Sequence, residues 1–165
     1  MKGERDRQMR EEMVVKSLEG GIEDFVEPIC SLLEAAENFV DMSTSLYPDF
    51  YNKDELKDAI KTCVKKVIKF RILLDKDADI DALKKEIPWI FDLQDKYLDT
   101  LEIAQASGDI SHWILVDEIS LRLEEKHKYE EKLILRNLYI QNPPLIIAKT
   151  YIRQFDIWWD TAERV

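Results

Sequence analysis

The chain has 165 residues, 34 of them Asp or Glu and 24 Lys or Arg, for a formal net charge of −10. An apolar fraction of 45% excludes general disorder, and an acidic balance disfavours broad attraction to nucleic acid. With only 4 Gly and 5 Pro, the chain carries little of the punctuation that a many-stranded β fold needs.

The N-terminus, MKGERDRQMREE, has no apolar run after its basic start, so it is not a secretory signal. No window approaches the ~20 apolar residues that span a bilayer. Cys30 and Cys63 lie in no metal-ligand spacing and read as small core residues. A cytoplasmic protein is expected, with no membrane contact, metal or cofactor.

Residues 1–18 read as a charged helix that frays or docks elsewhere, and residues 19–165 as one domain. Gly20-Gly21, Pro48, Pro88, Gly108 and Pro143-Pro144 divide that domain into lengths suited to helices. Apolar residues then recur at three and four. Ile22, Phe25, Val26, Ile29, Leu32, Leu33, Ala36, Phe39 and Val40 do so first. Leu56, Ile60, Cys63, Val64 and Val67 follow. The later stripes run from Ile87 to Ala104, from Leu115 to Ile134, and from Ala148 to Ala162. Asn52 with Glu55 resembles a capping box, Asn142-Pro143 a helix start, and Gly108 a helix end. These signs predict an all-α, up-and-down bundle of about five principal antiparallel helices, with the charged N-terminal helix in addition.

Charge is distributed unevenly. Residues 19–52 carry −8 with no Lys or Arg, whereas residues 53–76 carry a net +4. Lys57, Lys61, Lys65 and Lys69, with Lys53 before them, recur every four residues and predict a basic ridge. The ridge is either a docking surface for an acidic or phosphate-bearing partner, or the partner of the acidic segment before it. The second reading is preferred, because complementary neighbours pair side by side.

Two further features invite a function. Lys126, His127 and Glu130 interrupt the apolar face running from Leu115 to Ile134. A solvated stretch of helix explains this most simply. Within it, Arg122-x4-His127 resembles the bare spacing of HEPN-type ribonucleases, which are helical bundles. That resemblance implies a His exchanging protons and an Arg stabilising an anion. The last segment carries more apolar residues than one face can hold, with Ile146, Ile157 and Trp158 outside the main stripe. The preferred reading is therefore a non-enzymatic interaction protein, binding a protein partner or a second copy through Ile146, Ile157 and Trp158. Nucleic acid is the less favoured partner. The competing reading is a HEPN-like ribonuclease using Arg122 and His127.

Overall fold

A computed structural model describes residues 12–125 and 134–165. The chain forms a mixed sheet covered by helices, not a helical bundle. In chain order the elements begin with strand β1 (Val14–Gly20), a 3-10 turn (Ile22–Phe25), helix α1 (Val26–Glu34) and strand β2 (Phe39–Thr44). Helices α2 (Pro48–Tyr51) and α3 (Asp54–Lys66) lead to strand β3 (Lys69–Leu74). Helices α4 (Ile80–Glu86) and α5 (Pro88–Lys96) precede strands β4 (Leu101–Gln105), β5 (Trp113–Val116), β6 (Ser120–Glu124) and β7 (Leu135–Gln141). Helix α6 (Leu145–Asp160) and the short strand β8 (Glu163–Arg164) end the chain.

The eight strands form one sheet in the order β1-β7-β6-β5-β2-β3-β4-β8. Strands β2, β3 and β4 are mutually parallel, and the remaining pairings are antiparallel. One face carries Val40, Met42, Phe70, Ile72, Leu101 and Ile103, packed with α1, α3 and α5 through residues such as Ile29, Leu33, Ile60 and Ile90. The other carries Leu73, Ala104, Trp113, Leu115 and Leu121, packed under Phe155 and Trp159 of α6. The result is a three-layer α/β/α arrangement.

The all-α expectation fails for identifiable reasons. Trp113–Val116 is buried at every position, because both faces of a central strand are covered. Such a continuous apolar run has no alternation to distinguish it from a helix. Helix α3 ends at Lys66, where Val67 takes an extended conformation, with neither Gly nor Pro at the junction. The apolar spacing therefore passes from helix into strand β3 without a break. The stretch carrying the stripe from Leu115 to Ile134, expected as helix, instead holds the β5–β6 hairpin where it is described. Gly108 lies in the loop after β4, not at a helix end. Asn52 does not start α3, since Lys53 occupies that cap position; Asn52 instead ends α2, and its side-chain amide donates to the Glu86 carbonyl. Val14–Gly20 is a strand paired with β7, so the expected N-terminal helix is also corrected where it is described.

Two polar devices fix the sheet. Asp117 and Glu118 turn the β5–β6 hairpin with φ of 52° and 57°. The Asp117 carboxylate accepts the backbone N–H groups of Glu37, Asn38 and Phe39 at 2.6, 2.8 and 2.8 Å, tying the hairpin to the start of β2. Under α6, Arg71 grips buried Asp41 through Nε at 2.8 Å and Nη2 at 2.9 Å, and reaches Asp156 on the helix at 2.8 Å. The Arg71 guanidinium lies over the rings of Phe155 and Trp159.

Candidate functional site at the carboxyl ends of the parallel strands

Strands β2, β3 and β4 point their carboxyl ends, Thr44, Leu74 and Gln105, toward one edge of the molecule. Strand β5 runs antiparallel to β2, so His112, which immediately precedes β5, lies at the same edge. Strand β6 ends there at Glu124. After β2 the chain continues to β3 on one side, while β5 flanks β2 on the other. Open α/β sheets form a ligand crevice at such a switch point.

A cavity of about 350 Å³ opens at this edge, lined by Ser45, Asp75, Asp77 and Asp109 among others. Its walls carry these three carboxylates against Lys76, which pairs with Asp109 at 3.0 Å. Asp75 also turns inward, where its Oδ1 lies 2.8 Å from His112 Nε2. His112 Nδ1 faces Glu124 Oε2 at 3.5 Å. Burial opposes a charge on this imidazole, but the hydrogen bonds and negative charge of Asp75 and Glu124 outweigh it. The His112 pKa is raised to about 9, so the ring is an imidazolium at neutral pH.

The cluster continues inward along the sheet. Glu124 Oε2 lies 3.6 Å from Arg122 Nη2, which donates to Asn137 Oδ1 at 3.2 Å. Arg122 is 7% exposed and Asn137 2%. Among the described residues, Arg122 Nε, Asn137 Nδ2 and the Tyr139 hydroxyl make no hydrogen bond of normal geometry, although Arg122 and Asn137 lie close enough to the Tyr139 hydroxyl to favour its ionised form. Arg122 and Tyr139 are direct partners across β6 and β7. Buried Tyr51 receives a hydrogen bond from Thr44 Oγ1 at 3.1 Å. Burial raises the pKa of Tyr51 and of Tyr139, and the Arg122 charge only partly offsets this.

Chemically, this is an internally balanced ionic cluster. Two cations, Arg122 and His112, meet two carboxylates, Asp75 and Glu124. An imidazolium held on both sides can neither accept a proton nor attack an electrophile.

The residues singled out by sequence reach scattered places. Arg122 belongs to strand β6, not to a helix, so the helical geometry of a HEPN-type pair is absent. His127, with Lys126 and Glu130, lies outside the described residues. Lys57, Lys61 and Lys65 are on α3, whereas Lys69 is on strand β3 and pairs with Glu102 at 3.4 Å. Lys61 sits over the Trp89 ring. Lys53 pairs with Glu23, and Lys66 donates to the Glu34 backbone carbonyl, where α3 packs beside α1. Ile146 and Ile157 are exposed on α6, while Trp158 is half-buried against Trp113, their ring centroids 4.7 Å apart. No sequence motif marks His112 and Asp75 as a site. The available signal was an apolar run, Trp113–Val116, bounded by Gly108 and Asp117 and led by a lone His.

No family model matches the chain, and no curated protein does. Solved structures do. A phospholipase D family member, Nuc from Salmonella typhimurium, superposes with a TM-score of 0.72 at 14% identity, over 93% of this chain and 99% of that one. The likeness is one of fold. TrmBL2, an archaeal chromatin protein described as showing a novel mode of DNA binding, gives 0.67 at 21% identity over 100% of this chain. This chain spans 57% of the length of TrmBL2. Phosphatidylserine synthase from Haemophilus influenzae gives 0.62 at 15% identity, covering 93% of this chain and 40% of that one. The phospholipase D-like α/β fold thus replaces the expected bundle. Among the described residues, no helix is long and apolar enough to cross a membrane.

Proposed function

We propose that this chain is a non-catalytic interaction domain built on a phospholipase D-like fold. The observation that carries this reading is His112, clamped between Asp75 and Glu124 where such a fold places its crevice. Chemistry at a phosphodiester needs a neutral nucleophile or base and a cavity that tolerates anions. Here the imidazole is protonated and the cavity walls are acidic. Apolar side chains facing outward on α6, Ile146 and Ile157, support a role in binding another protein.

A hydrolytic reading has one observation in its favour: buried Arg122, whose Nε has no partner among the described residues, stands near His112 at the same edge. The two readings separate in one assay. Wild-type protein, His112→Ala and Arg122→Ala are incubated with bis(p-nitrophenyl) phosphate and with single-stranded RNA. The expected result is no turnover above buffer by any of the three. Turnover by wild type that either substitution abolishes overturns the non-catalytic reading.

A further inference from the structure

The sheet ends differently at its two edges. Strand β8 is a two-residue strand, but β1 pairs with β7 over seven consecutive residues with no bulge. Among the described residues no strand pairs with its outer edge, which leaves a row of backbone donors and acceptors there. Native edge strands are usually protected by Pro, bulges, short length or charge. Val14–Glu19 contains no Pro, and Lys16 is its only cation. Instead Met13, Val14 and Val15 are 53%, 47% and 49% exposed.

The side chains beside that edge show what completes it. Leu115, Leu121, Ile140 and Val15 are successive partners across β5, β6, β7 and β1. They form one apolar row, buried at Leu115 and Leu121, half-buried at Ile140 and half-open at Val15. We propose that β1 pairs antiparallel with β1 of a second copy, with Val15 opposite its own counterpart on the two-fold axis. This rests on the interaction reading and names the partner. In this register the apolar row continues without interruption into the second copy. Met13 falls opposite Ser17 on the same face as Val15, and exposed Glu12 lies diagonal to Lys16 of the other copy on the opposite face, within reach of a long side chain. An antiparallel pair about a two-fold axis keeps each sheet face continuous, so no charge is driven into the α6 layer.

The test uses the full chain. Light scattering on the eluting protein is expected to give a dimer that dissociates on dilution. Val15→Lys sets two ammonium groups against each other across the axis, and is expected to weaken dimerisation at least about tenfold while leaving the circular dichroism spectrum unchanged. Single-cysteine variants read the register independently of that substitution. Directly opposed residues lie about 4.5–5.5 Å apart, so oxidised Val15→Cys crosslinks with its counterpart. Ser17→Cys, displaced along the strand, does not. A wild type that stays monomeric at every concentration, a dimer indifferent to Val15→Lys, or crosslinking through Ser17→Cys rather than Val15→Cys each overturns the inference. None of these results alters the phosphodiester assay, so the non-catalytic reading stands or falls separately.

Discussion

Asp117 holds a left-handed backbone conformation that a β-hairpin turn demands, and three backbone N–H groups fix its carboxylate. Hydrogen bonds to a charged acceptor are each worth roughly 1.5–3 kcal/mol, less where water competes. Asp117→Ala is therefore expected to cost about 2–4 kcal/mol in urea denaturation. Glu118 next to it has φ of 57° without comparable support. Glu118→Gly should be stabilising by up to about 1 kcal/mol, because glycine adopts this conformation without a Cβ clash. His112 makes a prediction in pH. Its pKa rises from 6.5 to about 9 on folding, so its stabilising contribution is complete below pH 6.5 and is lost as pH climbs through 9. Stability should fall by at most about 3 kcal/mol across that window. His112→Gln should flatten the slope there, as urea melts at a series of pH values would show.

Helix α6 is held by charge as well as by apolar packing. Arg71 and Asp41 face each other on β3 and β2, and Asp156 joins them from the helix. Burial raises the Asp41 pKa despite Arg71, so the pair carries a desolvation cost. Arg71→Met should then destabilise by about 3–5 kcal/mol, since it strands a buried carboxylate. Asp41→Leu combined with Arg71→Met should recover most of that loss, and thermal unfolding would check both. Asp156 is half-exposed, so Asp156→Asn should cost no more than about 1 kcal/mol. Ile157→Glu, on the outward face, should change stability by less than about 0.5 kcal/mol, which makes it a clean probe of partner binding.

How far such elements could be read beforehand differed with their surroundings. Helix α3 and helix α6 carry a core stripe on one side only, and Pro88 sits in the first turn of α5, so their patterns survive in the sequence. Central strands are covered on both faces, and Ile114 and Leu115 look alike to any periodicity although they point to opposite layers. The site was hidden for a related reason. His112, Asp75 and Glu124 come from three separate parts of the chain, and only the strand order brings them together.

At the scale of the whole molecule, the net charge of −10 sets what the fold can attract. One structural neighbour is a DNA-binding chromatin protein, so the fold does not exclude nucleic acid. Counterion release nonetheless needs clustered cations, and several of the Lys and Arg residues here are engaged in ion pairs. A titration with duplex DNA at low ionic strength should accordingly show no saturable binding. A DNA complex whose affinity falls steeply with added salt would contradict this. The acidic surface and the open β1 edge together favour partners met through backbone pairing and apolar contact over partners met through phosphate.

The pairing of β1 with β7 also sets a schedule for synthesis. Val14 faces Gln141, so the ribosome makes 127 further residues before β1 can find its neighbour. At roughly 5–20 residues per second, that leaves Val14–Gly20 unpaired for about 6–25 s. For that interval the nascent chain presents a partly apolar strand without its neighbour, a time long enough for a chaperone, or a second nascent chain, to reach it first.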